Sequence, residues 1–392
     1  TFTLTINPVG QVNTVTNIAV CNGDSVPAVL FSTNNTGGTT TYNWTNTITS
    51  IGLAASGTGN IASFTATNLG NAPVVATVTV TPQFTNTNNC NGTPITFTIT
   101  VNPSAKVTTV SNKTICNGNT LAAINFATTN TGGSTSYSWT NDTPSIGLAA
   151  AGTGTIPAFS ATNIGTSPIT ATIQITPYYT NNGVSCSGAA TTFTITVNPT
   201  AQVNSIANQI LCNGTSTTAV VFSTNLTGGT TTYNWTNSNT AIGLPASGTG
   251  NINAFNVTNT TASPITATIT VTPYYSNGTP ACSGPTQSFT ITVNPSPAVS
   301  FSSSNQTICS AYTSSLITLS STTSGATFTW TAVQPAGITG VVTSGTNTIP
   351  AQTLFNTTNT PITITYAAVA TTNDASACAG STFNYTITVN PS

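Results

Sequence analysis

The chain has 392 residues, of which only 1% are charged, and its formal net charge is −1. This composition excludes electrostatic recognition of nucleic acid and of anionic membranes, because both need clustered Lys or Arg. The sequence contains no His, Glu or Arg, so three aspartates are the only acidic side chains available as general acid or base, and Thr, Asn and Ser interrupt every apolar run before it reaches membrane-spanning length.

An eight-residue motif, TFTITVNP with close variants, occurs five times. The copies begin at Thr1, Thr96, Thr192, Ser288 and Asn384, and their closing prolines lie 95 or 96 residues apart. A fixed period of this length is the signature of a tandem array. We therefore expect residues 1–8 to be the last strand of a preceding repeat, followed by four repeats at 9–103, 104–199, 200–295 and 296–392.

Within the first repeat, apolar and polar residues alternate with the period of two that is typical of strands with one buried face. The pattern predicts strands at 12–20, 26–33, 40–46, near Ile51, and at 61–67, 74–81 and 95–101. Seven strands in a unit of this size predict an immunoglobulin-like β-sandwich. The expected fold class is all-β: four tandem sandwiches that short Asn-Pro linkers hold as an elongated, semi-rigid rod.

The motifs of a repeat follow one another in a fixed order: CxG, YxWT, a GTG turn, ITxTxxVTP, a second CxG and TFTITVNP. In this order they resemble the PKD-like, immunoglobulin-like repeats of very large secreted surface proteins of Bacteroidota, including gliding-motility adhesins. The acidic WDFGDG motif of true PKD domains is absent, because Trp44 is followed by Thr45 and Asn46. The resemblance implies an extracellular adhesin on the cell surface, exported by type IX secretion.

Two cysteines recur in every repeat, separated by 69 or 70 residues. Disulfide bonds are favoured over a metal site, since no His is present and no CxxC spacing occurs. Disulfides in turn indicate an oxidising compartment. The cysteines are Cys21, Cys90, Cys116, Cys186, Cys212, Cys282, Cys309 and Cys378.

The spacing leaves two disulfide arrangements open. Pairing within a repeat closes a loop of about 70 residues, which in the chain-entropy model stabilises by about 4 kcal/mol. In an immunoglobulin-like topology, however, the two cysteine-bearing turns lie at opposite ends of the sandwich, a strand length of roughly 23 Å apart and beyond bridging distance. The second arrangement joins neighbouring repeats and leaves Cys90 and Cys309 to pair outside this stretch of chain. Its bonds are Cys21–Cys186, Cys116–Cys282 and Cys212–Cys378.

Aromatic residues recur at two positions. One tryptophan per repeat falls on the third strand, where a sandwich normally buries it in the core, at Trp44, Trp139, Trp235 and Trp330. Adjacent tyrosines follow the sixth strand in two repeats, and one ring of each pair should be exposed because neighbouring residues point to opposite faces. These rings are candidates for contact with the adjacent repeat, or with glycans, at Tyr178, Tyr179, Tyr274 and Tyr275.

The carboxylate side chains do not recur with the repeat. Asp24, Asp142 and Asp374 align with Asn119, Thr47 and Gly278 in other repeats. This mismatch predicts solvated surface groups, and no catalytic residue, metal ligand or cofactor-binding residue. The chain is therefore predicted to be non-enzymatic and to need no cofactor.

Two functions fit these observations. The first is a stalk or adhesive filament of a bacterial surface adhesin, with weak multivalent contacts to polysaccharide or a solid surface. The alternative is a structural subunit of a self-assembling fibre, sheath or surface layer, in which residues 1–6 add a strand to a neighbouring molecule. In both cases the partners include neighbouring repeats of the same long chain, and neither nucleic acid nor membrane insertion is expected.

Overall fold

The computed structural model describes residues 1–392, and its regular structure is β-strands with three short 3-10 helices. The first repeat has strands β1 Ile18–Cys21, β2 Ser25–Val26, β3 Thr39–Asn46, β4 Ser56–Thr58, β5 Phe64–Thr65, β6 Val74–Asn86, β7 Asn88–Asn91 and β8 Ile95–Asn102. The second has β9 Lys113–Cys116, β10 Thr120–Leu121, β11 Ser134–Asn141, β12 Ala151–Thr153, β13 Phe159–Ser160, β14 Ile169–Asn181, β15 Val184–Ser187 and β16 Thr191–Asn198.

The remaining strands fall in the last two repeats. The third repeat has β17 Gln209–Cys212, β18 Thr230–Asn237, β19 Ser247–Thr249, β20 Ile265–Ser276, β21 Cys282–Ser283 and β22 Gln287–Asn294. The fourth has β23 Ser300–Phe301, β24 Gln306–Cys309, β25 Ile317–Ser320, β26 Thr327–Ala332, β27 Ile338–Thr339, β28 Ser344–Thr346, β29 Thr348–Ile349, β30 Phe355–Asn356, β31 Ile362–Thr371 and β32 Phe383–Asn390. The 3-10 helices are Thr49–Ile51, Pro144–Ile146 and Thr240–Ile242.

Each repeat packs one large sheet against a smaller layer, which is a two-stranded sheet in the first two repeats and isolated bridges in the third. In the first repeat the large sheet has the order β1-β8-β6-β3-β4, with β7 beside β6, and the small layer consists of β2 paired with β5 and a bridge between Val29 and Ile61. The second and third repeats have the same order in their large sheets. The prediction of an all-β fold of tandem immunoglobulin-like sandwiches is confirmed.

The core lies between the two layers and follows from the period-two pattern of the long strands. Val78 and Val80 of β6 are fully buried, as is Ile99 of β8, while the threonines between them face outward. The two strands pair antiparallel with Val78 opposite Phe97, so their apolar residues lie side by side on the inner face. Alternation therefore fixes both the register of these strands and the face that they bury.

The predicted strand at 12–20 is wrong in its extent. Only β1 is a strand, and it pairs in parallel with β8, with Ile18 opposite Ile99. Earlier in the chain, Asn13 donates its backbone N–H to the carbonyl of Ser32, which follows the Val29 bridge of the small layer. The segment therefore crosses from one sheet to the other. Asn17 lies at this crossing, and its Oδ1 accepts the N–H of Thr98 at 2.8 Å.

The strand predicted near Ile51 is also wrong, because Thr49–Ile51 is a single 3-10 turn. Ile51 is nonetheless fully buried, so one apolar side chain enters the core without a strand. Gly52 ends the turn at φ 96° and donates its N–H to Thr49 O. A left-handed conformation of this kind favours glycine.

The sixth strand is longer than predicted, because it passes through Pro82 and ends at Asn86. Val80 lies opposite Ile95 of β8, whereas Gln83 lies opposite Asn91 of β7. Pro82 therefore falls where the neighbouring strand changes, and its missing N–H interrupts neither ladder. The extra residues form a hairpin, which carries Cys90.

The fourth repeat departs from the other three. Its large sheet keeps the order β24-β32-β31-β26-β28, but its smaller strands form separate sheets, β23-β25-β29 and β27-β30. The hairpin beside the long strand is reduced to a bridge between Thr371 and Ala379. By contact density the chain divides into two compact units, one comprising Thr1–Pro199 with Gly278–Pro280 and the other Thr200–Asn277 with Ala281–Ser392.

Residues 1–6, predicted as a strand, form none in the structure. The other four copies of the motif lie beside a long strand of their own repeat, but these residues have no strand beside them. The apolar side chains are consequently exposed, with 92% of Phe2, 76% of Leu4 and 83% of Ile6 accessible to solvent.

Candidate functional site at the repeat junctions

The two cysteines of a repeat lie at opposite ends of the sandwich. Cys21 is the last residue of β1 and lies opposite Asn102, at the end of β8. Cys90 lies beyond the other end of β8, where its carbonyl accepts the N–H of Gly10. The eight residues of β8 separate these ends by roughly 25 Å. This distance excludes a bond between Cys21 and Cys90.

The structure joins cysteines of neighbouring repeats instead. Cys21 is bonded to Cys186 with a Cα–Cα distance of 5.4 Å, and Cys212 is bonded to Cys378 at the same distance. Cys116 and Cys282 each take part in a disulfide bond. Of the remaining two thiols, Cys90 is half-buried and Cys309 is exposed.

Polar side chains hold the junction between the first and second repeats. Asn102 and Asn181 bond each other twice: Asn102 Nδ2 donates to the Asn181 carbonyl at 3.2 Å, and Asn181 Nδ2 donates to Asn102 Oδ1 at 3.0 Å. Lys106 Nζ donates to Asn71 Oδ1 at 2.6 Å. The N–H of Thr131 donates to the Asn71 carbonyl at 2.9 Å. These hydrogen bonds and the Cys21–Cys186 bond fasten the same pair of repeats.

The junction between the third and fourth repeats is built on equivalent positions. Asn294 Nδ2 donates to Ser376 Oγ at 3.2 Å. Asp374 accepts the N–H of Ser376 at 2.7 Å and so shapes the turn that presents it. A cavity of about 230 Å³ lies beside this turn, lined in part by Pro295, Ser324 and Asp374.

A buried asparagine in each repeat ties the loop before the long strand to the last strand. In the first repeat Asn68 Nδ2 donates to the carbonyls of Val101 at 2.7 Å and Ala72 at 2.9 Å, and its Oδ1 accepts the N–H of Gly70. Asn163, Asn259 and Asn356 make the corresponding bonds to Val197, Val293 and Val389. Sequence reasoning missed these residues, although their recurrence at the repeat period was a usable signal.

The four tryptophans are buried, with between 2% and 7% of each residue exposed. A glycine of the following turn lies against each ring: a Cβ on Gly57 would come within 2.1 Å of the Trp44 ring. Trp330 Nε1 donates to the Thr348 carbonyl at 2.8 Å, whereas the indole N–H groups of Trp44, Trp139 and Trp235 have no partner. The ring volume, and not its polar atom, is thus the feature common to the repeats.

Each tyrosine pair has one buried and one half-exposed ring. Tyr179 and Tyr275 are fully buried and donate their hydroxyls to the carbonyls of Thr131 and Thr227. Burial raises the pKa of both phenols. Tyr178 lies on the outer face of its sheet, between Ser136 of β11 and Ser187 of β15 in the strand register.

The carboxylate of Asp142 takes the place of a hydroxyl. Its Oδ1 accepts the N–H of Thr172 at 2.8 Å, just as Thr47 Oγ1 accepts from Thr77 and Ser238 Oγ from Thr268 in the equivalent repeats. The N–H of Thr172 and the hydroxyl of Thr143 hold the pKa of Asp142 below its usual value. The residue therefore fastens a loop in a way that a serine or threonine does elsewhere.

The outer face of each large sheet is covered by hydroxyl groups. Threonines of the two longest strands are close enough to bond across the sheet, at 2.9 Å between Thr170 and Thr196 and at 3.0 Å between Thr266 and Thr292. No group of three or more potential metal-ligating side chains forms anywhere in the chain. No helix has the length and apolarity needed to cross a bilayer.

A family model described as a PKD-like domain matches residues 306–392. Several multidomain structures align with the chain at low similarity. The human desmocollin-1 ectodomain is 9% identical, with a TM-score of 0.30 over 96% of this chain and 80% of that chain. Drosophila N-cadherin EC1-4 is 10% identical, with a TM-score of 0.31 over 96% and 99%. A three-immunoglobulin segment of titin is 11% identical, with a TM-score of 0.38 over 72% and 96%. A comparison with curated proteins finds no match.

Proposed function

We propose that this chain is a non-enzymatic, extracellular repeat region that forms the stalk or adhesive filament of a large surface adhesin of a Bacteroidota bacterium. The observation that carries the proposal is the covalent joining of neighbouring sandwiches, Cys21 to Cys186 and Cys212 to Cys378. Bonds of this kind persist in oxidising surroundings outside the cytoplasm. They preserve the arrangement of neighbouring repeats, which is what a spacer between a cell and its substratum needs.

Two further features support a structural and adhesive role. The PKD-like match in the last repeat identifies a domain type that is typically non-catalytic. The hydroxyl-covered sheets and the half-exposed Tyr178 and Tyr274 offer many weak contacts to polysaccharide or to a solid surface, which an array makes effective by multivalency. Export by type IX secretion belongs to the same proposal.

The proposal is tested on intact cells of the source bacterium. Antibodies raised against the four-repeat segment should label unpermeabilised cells, and deletion of the gene should abolish both the label and attachment to a surface. Deletion of another secreted protein serves as the control and should leave both unchanged. Labelling that appears only after permeabilisation would contradict an extracellular stalk.

Self-assembly into a fibre, sheath or surface layer is the second candidate, favoured by the exposed apolar side chains of Phe2, Leu4 and Ile6. A segment that alternates in this way can add a strand to another molecule. Sedimentation of the purified chain at high concentration should then show oligomers that disappear when residues 1–8 are removed. A chain that stays monomeric at every concentration excludes this function.

A further inference from the structure

We infer that the disulfide bonds form a short covalent path along the chain, which leaves most residues of each repeat out of series with an applied force. Two bonds suffice to define it: the path runs through residues 1–21, crosses to 186–212, and crosses again to 378–392. Residues 22–185 and 213–377 then form two loops, each closed by a disulfide bond, and neither loop bears the applied force. The inference goes beyond the proposed stalk, since it holds whatever the array displays.

The path uses the edge strand of the large sheet in the first and third repeats and its inner neighbour in the second and fourth. It contains β1 of the first repeat and β16 of the second, then β17 of the third and β32 of the fourth. Each of these strands is loaded along its own length, because both ends of its segment lie on the path. β16 and β32 contribute buried residues to their cores, whereas the longest strands, such as β6 and β14, lie outside the path and bear none of the applied force.

The consequence is a limit on how far the chain can extend. The path has about 60 residues and therefore a contour length of roughly 200 Å, at about 3.5 Å per residue. Without the bonds, all 392 residues can be drawn out to roughly 1,400 Å. Oxidation thus changes the maximum extension by roughly sevenfold.

The bonds also change what happens when a repeat unfolds. An unbridged repeat that unfolds under load adds roughly 300 Å of chain. A bridged repeat adds none, because its residues are not in series with the load. Unfolding of a core by heat or denaturant would then leave the length of the loaded chain unchanged.

Single-molecule stretching of the four-repeat chain tests the inference, with handles attached to the two termini through peptide tags and not through thiols. The oxidised chain should extend to roughly 200 Å with no step near 300 Å. The same molecule in a reducing buffer should show four such steps. Steps near 300 Å in the oxidised chain would overturn the inference.

Matched cysteine variants distinguish the bonds from other effects of reduction. Replacing Cys21 and Cys116 together, as C21S and C116S, should restore two large steps while the Cys212–Cys378 bond protects the last two repeats. Replacing the two free cysteines, as C90S and C309S, should restore none. Two steps in both variants, or in neither, would overturn the inference, and circular dichroism of each variant verifies that it is folded. None of these outcomes bears on attachment of cells, which tests the stalk separately.

Discussion

At the scale of single residues, the repeats depend on small side chains at fixed places. Gly57 lies against the ring of Trp44, and Gly152, Gly248 and Gly345 lie in the same way against Trp139, Trp235 and Trp330. Gly92 is even more tightly placed, since a Cβ there would come within 1.7 Å of the Gly10 carbonyl oxygen. Glycine is required at these positions because neighbouring atoms leave no room for a Cβ, and not because of a turn conformation.

Gly57→Ala should destabilise the first repeat by roughly 1–3 kcal/mol, because the added methyl group must displace the Trp44 ring within a packed core. Ser56→Ala, at an exposed position of the same strand, is the matched control. Hydrogen exchange of the amides in β3 and β4 measures the effect locally. Equal protection in the two variants would show that the Trp44 ring moves without cost.

Burial of tyrosine predicts a sensitivity to alkaline pH. Burial raises the pKa of Tyr366 from 10.0 to about 12, while a hydrogen bond from Gln352 partly opposes the shift. As the pH rises, the unfolded chain loses this proton before the folded chain does. The contribution of Tyr366 to the free energy of unfolding is therefore fully present below pH 10 and falls as the pH rises from about 10 towards 12. Tyr366→Phe should lessen that fall, measured as the urea midpoint at each pH. An undiminished fall in the Tyr366→Phe variant would argue against burial of this tyrosine as the cause.

At the scale of elements, the sequence predicts the long strands well and the connections poorly. The alternation of apolar and polar residues locates β6 and β8, because one face of each strand is buried and the other faces solvent. The 3-10 turn at Thr49–Ile51 was predicted as a strand because a single buried isoleucine has no period. The extension of β6 beyond Pro82 was missed because it depends on which neighbour lies opposite, and a local pattern does not contain that information.

The loops are held by asparagine side chains that substitute for missing backbone partners. Asn46 Nδ2 donates to the carbonyls of Ile48 and Leu53, both at 3.0 Å, and so fastens the loop that carries Ile51. At the crossing between sheets, Asn17 instead accepts the backbone N–H of Thr98 with its Oδ1. Asparagine suits these places because one side chain offers two donors and an acceptor. The abundance of asparagine in the sequence therefore has a structural reason.

Asn68→Ala should destabilise the first repeat by roughly 2 kcal/mol or more, because it leaves the carbonyls of Val101 and Ala72 and the N–H of Gly70 without their partner. Asn34→Ala, at an exposed position, should change stability by less than about 0.5 kcal/mol. Hydrogen exchange at the start of β6 and the end of β8 gives the measurement. Similar exchange in both variants would mean that water replaces the side chain at no cost.

At the scale of the whole molecule, the repeats are not independent units, because each bridged pair shares a covalent bond as well as a set of hydrogen bonds. The sequence shows the repeat period and predicts that the cysteines form disulfide bonds, but it leaves the pairing open between two arrangements. The choice depends on the position of the hairpin that carries Cys186, and this hairpin exists only because β14 extends past Pro177. A misjudged strand end was thus enough to leave the pairing unresolved.

The position of the two cysteines of a repeat at opposite ends of its sandwich also constrains how the protein is made. Cys186 lies 165 residues from its native partner Cys21 but only 26 residues from Cys212. In an unfolded chain the shorter loop closes about sixteen times more often, so early oxidation favours the wrong pair. Refolding in which oxidant is added first should therefore yield Cys186–Cys212 bonds by peptide mapping, and oxidant added after folding should yield Cys21–Cys186. Identical maps would show that pairing ignores the fold. The native disulfide bonds therefore form after the repeats have folded, and they do not direct the folding.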